Sequence, residues 1–347
     1  MPLCEFLVNL HIIIPKSNMP LLEMTPAGLY CPQADVYIDP SKKVERAIIT
    51  HAHGDHAKRG MGSYLCHTYS DEVLRYRLGK NIKIQTMDYG ATTTINGVKI
   101  GFFPAGHIPG SAQVRLAYRD ETWVVTGDYK VEDDGVSTAY EPVPCSHFVS
   151  ESTFGLPIYK WQDQAVLLAN INRWWSNNRA QGINSIIHAY SLGKAQRLIA
   201  LLDHSIGDIF IHHNIYETNQ SLAKYINLPA CKKMQDYKKA NDLGSLIISP
   251  QLGFDFLAIK KFAPYLTAEC SGWMLLENQR LRRKADAAFA LSDHADWDGL
   301  LYAIHATGAQ NIYLTHGYTQ QLSRYLHERG YNASELDHLR KDSLINN

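Results

Sequence analysis

The chain has 347 residues, 45% of them apolar and 20% charged, with 34 basic side chains balancing 34 acidic ones. That length and composition suit a soluble globular protein with one large core or two modest domains, and a net charge of zero gives no overall basic field of the kind that marks many nucleic-acid binders. Six cysteines without a C-x-x-C pair argue against a disulfide framework and a thiolate zinc site, and suit a reducing compartment, expected to be the cytoplasm.

Met1–Ile14 is fairly apolar, but Glu5, Asn9 and His11 interrupt it, and it has neither a basic n-region nor a small-residue cleavage site. Neither a signal peptide nor a membrane span is expected there. Met19 is a candidate natural start, which would make the first eighteen residues an extension. From Leu21 to Asp39 the pattern reads strand, turn, strand. Asp39 before Pro40 is either an ordinary Asp-Pro turn or a group that hydrogen-bonds the loop to come.

Ala47-Ile48-Ile49-Thr50 is apolar and β-branched, as a buried strand is. It runs straight into His51-Ala52-His53-Gly54-Asp55-His56, three imidazoles and a carboxylate in six residues. Gly54 permits a sharp turn, and a helix is expected to start near Asp55. A strand end opening into such a loop suits Zn2+ or a similar divalent ion, which takes neutral imidazole and carboxylate ligands; a His-rich surface loop is the bland alternative. Tyr69–Leu78 reads as a short helix. Ile82–Ile84 and Val98–Phe103 read as strands, with a hairpin turn at Asn96-Gly97.

Pro104-Ala105-Gly106-His107-Ile108-Pro109-Gly110-Ser111 sets a histidine among glycines, where backbone can approach an ion closely. Alone, His107 would be a loop histidine; about fifty residues after the His-rich loop, it is the candidate for a further imidazole. Trp123–Thr126 is a strand ending in Gly127-Asp128. Asp128 is a turn aspartate or, given its place in the order, a carboxylate bridging two ions. Phe148–Gly155 is a further strand with Glu151 near its tip. A helix over Gln162–Asn177 contains Trp174 and Trp175, read as core residues rather than a base-stacking platform.

The pattern then changes. Strands at Ser185–Tyr190, Ile209–His212 and Ser245–Pro250 alternate with helices over 191–202 and 219–226, and Ala268–Trp273 follows. This suggests a small α/β unit with a parallel sheet. Residues 160–290 hold 16 Lys and Arg against 10 Asp and Glu, leaving 18 against 24 elsewhere. A basic lobe over an acidic, ion-holding lobe makes a cleft for a phosphate backbone, although solvated helix faces explain most of the lysine pairs. Arg280-Leu281-Arg282-Arg283-Lys284 is the strongest basic cluster, and Arg282 and Arg283 are its candidate substrate contacts. Ser191, Gly193 and Lys194 at a strand-to-helix junction are candidates for an anion site of backbone N–H groups and helix dipole; the spacing is not that of a Walker A loop. Site residues return at Ser292-Asp293-His294-Ala295-Asp296. A helix to Thr307, a strand Asn311–Leu314 running into Thr315-His316-Gly317, a helix over 320–328 and a polar, weakly ordered tail after Ser334 complete the chain.

Taken together, the His-x-His-x-Asp-His loop, His107, Asp128, Ser150-Glu151-Ser152-Thr153-Phe154-Gly155, Tyr190-Ser191-Leu192-Gly193-Lys194-Ala195-Gln196, Ser292–Asp296 and His316 resemble the β-CASP branch of metallo-β-lactamase-fold nucleases, over roughly residues 21–330. The opening Gly28-Leu29-Tyr30-Cys31-Pro32 and the short length look most like the bacterial ligase-associated DNA exonucleases. The resemblance implies an α/β fold, a metallo-β-lactamase αββα sandwich at 19–160 and 289–347, with a β-CASP α/β domain inserted at 161–288. It places Asp39 in the site architecture. It implies two Zn2+, or Mn2+: one on His51, His53 and His107, the other on Asp55, His56 and His316, with Asp128 bridging. Asp55 also orients the attacking water, His294 is the general acid for the leaving oxygen, and Glu151 holds the His294 tautomer. The activity implied is phosphodiester hydrolysis by a DNA exonuclease of DNA repair, on single-stranded or end-containing DNA, with an ATP-dependent DNA ligase and a helicase as partners. An RNA-processing nuclease of the same branch is the first alternative, because RNA-processing members carry a histidine at the position of His316. A small-molecule metallo-hydrolase is the second, and the basic insertion argues against it. A non-catalytic scaffold of the branch would have lost ligands that this chain retains.

Overall fold

The computed structural model describes residues 20–250 and 259–340. The expectations for Met1–Ile14 and Met19 lie outside the described residues.

The first sheet follows chain order: β1 (Glu23–Thr25), β2 (Gly28–Cys31), β3 (Val36–Ile38), β4 (Arg46–Ile49), β5 (Ser63–His67) and β6 (Ile84–Met87). The pairs β1–β2 and β2–β3 are antiparallel, and from β3 to β6 the strands are parallel. The second sheet takes β7 (Thr92–Ile95), β8 (Val98–Pro104), β9 (Ala112–Tyr118), β10 (Glu121–Val125) and β11 (His147–Ser152), then β18 (Asn311–Gly317) and β19 (Asn332–Glu335) from the far end of the chain, in the order β19-β18-β11-β10-β9-β8-β7. Leu21 to Asp39 thus holds three strands rather than two. The Asn96-Gly97 turn between β7 and β8 has both residues at positive φ, 49° and 83°, the geometry that matches the twist of a two-residue hairpin.

Alternation along the strands builds the layers. Ile48 joins Val114, Trp123, Val125 and Val149 in a core shared by the two sheets. Its neighbours Ala47 and Ile49 point the other way, onto Val73 and Leu74 of α1 (Asp71–Leu78). Val124 and Phe148 likewise leave the shared core to pack on Leu300 and Ile304 of the helix Trp297–Thr307. Helix, sheet, sheet, helix is the resulting order, the period of two placing each residue on its face.

Between β11 and β18 the chain builds a third sheet from β12 (Asn184–His188), β13 (Ile209–Ile211), β14 (Lys232–Lys233), β15 (Leu246–Ser249), β16 (Tyr265–Cys270) and β17 (Ala287–Phe289), in the order β14-β13-β15-β12-β16-β17. Every pairing in it is parallel. Apolar clusters cover both faces, Ile187 and Ile248 on one and Ile186 and Ile247 on the other, which is why these strands read as continuous apolar runs. The helices α2 (Gln164–Ala180), α3 (Lys194–Leu201) and α4 (His213–Leu222) belong to this unit. Asp163 caps α2, its carboxylate accepting from the Ala165 and Val166 amides at 2.8 and 3.2 Å. Trp175 is fully buried, with its indole N–H donating to the Gly244 carbonyl at 3.1 Å, and Trp174 packs beside the same cluster.

Several expectations are corrected. No helix starts near Asp55; the loop makes one turn, closed by the Ala57 amide on the His53 carbonyl at 2.9 Å. The helix expected over 219–226 begins at His213, because the His212 ring accepts from the Asn214 amide and caps it there. The tail after Ser334 is packed as far as residue 340: β19 pairs with β18, and Leu336 and Leu339 enter the core between the sheets. Among the described residues no helix is long and apolar enough to cross a membrane. Trp175→Ala should cost about 3–5 kcal/mol of stability, read as a lowered midpoint in urea unfolding of the inserted unit.

Candidate metal centre

The site collects at the strand ends of the sandwich. His51 follows β4, His107 follows β8, Asp128 follows β10, Glu151 lies near the end of β11 and His316 near the end of β18. Gly127 makes the approach possible: at φ +58°, a Cβ there would lie 2.5 Å from the Thr50 hydroxyl oxygen. Asp39 and His316 hold positive φ without being glycine, at 44° and 57°, a backbone state kept only where the surroundings fix it.

Each imidazole is oriented from behind. His56 Nδ1 donates to Asp39 Oδ2 at 2.7 Å. The Thr50 hydroxyl donates to that same oxygen at 2.6 Å, so it accepts from His51 Nδ1 at 3.1 Å. His53 Nε2 donates to the Leu192 carbonyl at 3.1 Å, and His107 Nδ1 to the Asp293 carbonyl at 2.7 Å. With the outer nitrogens donating, neutral rings present bare inner nitrogens to one another. Burial keeps His51 well below its ordinary pKa, lowers His53, and takes His107 down to about 3.

The inner nitrogens converge on Asp128. His51 Nε2 and His107 Nε2 stand 3.5 and 3.7 Å from its Oδ2; His56 Nε2 and His316 Nδ1 stand 3.4 and 3.9 Å from its Oδ1. Two groups therefore share one carboxylate, His51-His53-His107-Asp128 and His56-Asp128-His316. The inner nitrogens of His53 and His107 are 3.1 Å apart, and His51 Nε2 and His56 Nε2 are buried without a hydrogen-bond partner among the described residues. Burial opposes charge on His56, yet Asp128 and Asp39 raise its pKa well above the ordinary value. Facing lone pairs, orphaned nitrogens and a strong pull on positive charge fit a metal cation held among these residues.

Beside this cluster, His294 Nδ1 meets the Glu151 carboxylate at 2.8 Å, and Glu151 is fixed in turn by the Tyr129 amide at 2.8 Å and the Thr153 hydroxyl. His294 Nε2 faces Asp128 Oδ2 at 4.0 Å. Burial lowers the His294 pKa, but Glu151 and Asp128 together carry it to about 9. Asp55 stands apart from both groups: its side chain is 74% exposed, 3.9 Å from His56 Nε2. It lines a cavity of about 700 Å³ that also reaches His53, Tyr190, Ser191, Trp273 and His294.

The anion site expected at the start of α3 is only partly assembled. Ser191 and Lys194 both line the cavity, but the Gly193 amide is taken by Gln196 Oε1 at 2.6 Å, and the Lys194 ammonium, 4% exposed, is bound to Asp293 at 2.6 Å. Arg282 and Arg283 sit in the helix Glu277–Arg283, outside the lining of this cavity. Arg77 was not singled out by its sequence, being one arginine in a short helix. It lines the cavity and donates to the Ala52 carbonyl, and a Cβ on Gly54 would meet its guanidinium at 2.9 Å. Gly54 therefore makes room for Arg77 rather than supplying an unusual φ.

Fold and site together define an α/β metallo-β-lactamase sandwich carrying a β-CASP insertion. No family model matches the chain. It is similar over 312 residues, at 28% identity, to a protein named probable DNA ligase from Opitutus terrae, a match covering 88% of this chain and 30% of that protein. It is also similar to the endoribonuclease ysh1 of Aspergillus fumigatus, at 30% identity over 35% of this chain and 14% of the relative. The cleavage and polyadenylation specificity factor subunit 3-I of Arabidopsis thaliana is 31% identical over 35% of this chain and 18% of its own length. The matches thus span less than a third of each of these relatives. Among solved structures, a protein of unknown function from Enterococcus faecalis superposes with a TM-score of 0.56 at 13% identity, over 82% of this chain and 77% of that one, which bears on the fold alone.

Elemental analysis after loading with Zn2+ should find two ions per chain in the unmodified protein and a loss in Asp128→Asn. Zinc at a hundredfold excess over its Kd should add about 2.7 kcal/mol of stability, read as a rise in Tm that a chelator reverses.

Proposed function

We propose that the protein is a metal-dependent phosphodiesterase that degrades DNA from its ends, in repair alongside a DNA ligase. The shared carboxylate carries this reading: Asp128 turns one oxygen to each of two imidazole groups, the arrangement a two-cation hydrolytic site requires. Cations held there supply Lewis-acid charge and lower the pKa of water. The long match to the ligase-named relative supports the DNA assignment, since it runs over 88% of this chain. The cysteines described, Cys31, Cys66, Cys145, Cys231 and Cys270, are free thiols, in keeping with a reducing cytoplasmic setting. In this reading the insertion begins after residue 160 and ends before residue 289, with the sandwich on either side of it.

His51, His53 and His107 would hold one cation, and Asp55, His56 and His316 the other, with Asp128 common to both groups. Asp55, facing the cavity, orients the attacking water. Glu151 fixes the His294 ring through Nδ1, so that Nε2 delivers a proton to the leaving oxygen. Ser191 and Arg77, on the cavity wall, are placed to meet the phosphate backbone.

An RNA-processing nuclease is the second reading, favoured by the endoribonuclease-named relatives and by His316 beside Asp128. End-labelled single-stranded DNA and matched RNA, incubated with the zinc-loaded protein, separate the two. Degradation of DNA alone, lost in Asp55→Ala, is the expected result; cleavage of RNA alone would transfer the same site to RNA. His294→Ala should lower turnover by about 10²–10⁴-fold with zinc content unchanged, and unchanged turnover at full occupancy would remove its role as general acid.

A further inference from the structure

The imidazoles of the metal centre differ in what orients them. His56 and His51 are oriented by Asp39 and Thr50, both within the first sheet's connections. His53 and His107 are oriented by two backbone carbonyls, one of which, on Leu192, belongs to the turn before α3 of the inserted unit. The other belongs to Asp293, where the chain re-enters the sandwich. That segment is gripped from α3 at two points. Lys194 Nζ binds Asp293 Oδ1 at 2.6 Å, and Arg197 Nη1 donates to the Ser292 carbonyl at 2.6 Å. Lys194 and Arg197 are three residues apart, on one face of the helix. They are 4% and 5% exposed, and Asp293 is 1% exposed. Removing either partner of a charge pair buried this deeply leaves an uncompensated charge, the more so because Asp293 Oδ2 has no hydrogen-bond partner among the described residues.

We propose that Lys194 and Arg197 are positioning residues for the His51-His53-His107 cation: α3 of the insertion clamps the 292–293 segment, and its Asp293 carbonyl, with that of Leu192, fixes the ligand nitrogens of His107 and His53. The inserted unit then shares control of one cation position, where Thr50 of the sandwich still orients His51, and the sandwich alone sets the other. This rests on the two-cation reading above. Outer partners of this kind change metal affinity by roughly 10–100-fold, so loosening the clamp weakens one position by that factor and leaves the His56–His316 position as it was.

Zinc content and the two zinc dissociation constants, measured by elemental analysis and by competition with a chromophoric chelator, test this on the full chain. Lys194→Met and Arg197→Met should each retain one tight zinc and bind the second about 10–100-fold more weakly. Because Lys194→Met strands the buried Asp293 charge, Lys194→Met with Asp293→Asn removes both charges and keeps the test open if the single variant fails to fold, as judged by circular dichroism. The position affected is identified by background. Combined with His316→Ala, Lys194→Met should weaken the remaining zinc by about that same 10–100-fold; combined with His53→Ala, it should weaken nothing further. A merely structural role would weaken both positions together, and that result, or two zincs held at the original affinities by every folded variant, would overturn the proposal. Fewer than two zincs in the unmodified chain would instead overturn the two-cation reading beneath it.

Discussion

Three neutral imidazoles with their bare nitrogens turned toward one buried carboxylate form an arrangement that protein atoms alone do not satisfy. His53 and His107 face each other at 3.1 Å with no proton assigned between them, and His51 has no hydrogen-bond partner at its inner nitrogen among the described residues. Leaving buried polar groups unpaired costs about 1–3 kcal/mol each. The fold accepts that cost here and places satisfied hydrogen bonds around the outside: Asp39, Thr50, Leu192 and Asp293 each hold an outer nitrogen or its neighbour. The strand ends aim the ligands, and the outer ring of acceptors fixes which nitrogen of each ring faces inward.

Much of this was legible in the sequence because the site is written at strand ends. A β-branched run broken by His51-Ala52-His53-Gly54-Asp55-His56 names its strand and its chemistry together, and His107 and Asp128 repeat the device. The insertion was legible because strands covered on both faces leave long apolar runs. What could not be read were contacts set by side chains far away in sequence. Lys194 looks like an anion binder beside Gly193, but Asp293, ninety-nine positions later, takes its charge, and Gln196 takes the glycine's amide. Arg77 gave no local sign of reaching the cavity. The histidine loop did not wind into a helix, since its rings and the Ala52 carbonyl are drawn to partners outside it. Leu336 and Leu339 lie in a polar stretch, and only the pairing of β19 with β18 shows why they are buried.

The zero net charge illustrates the same point. It sums an excess of basic residues in 160–290 and an equal acidic excess elsewhere, but the formal surplus is not all available to a ligand. Lys194 and Arg197 lie in the interior joining the units, and Lys232 is tied to Asp208 at 2.7 Å. Surface pairs of that sort contribute little to stability, yet they lower the free positive charge that a substrate would meet. The cavity itself is edged by Tyr190, Trp273 and Ser191 together with the charged Asp55, Arg77 and Lys194.

The parallel pairing of β11 with β18, Phe148 beside Ile312 and Ser150 beside Leu314, has a consequence for biosynthesis. A ribosome delivers β11 long before β18, with the whole inserted unit made in between. Until then β11 has β10 on one side and an open edge on the other, a row of unpaired amides and carbonyls that invites pairing with other chains. The insertion is therefore made while its host sheet is unfinished, and bringing its two ends together delivers β18 to the waiting edge. His316 arrives with that strand, so its imidazole is the last of the cluster to be made.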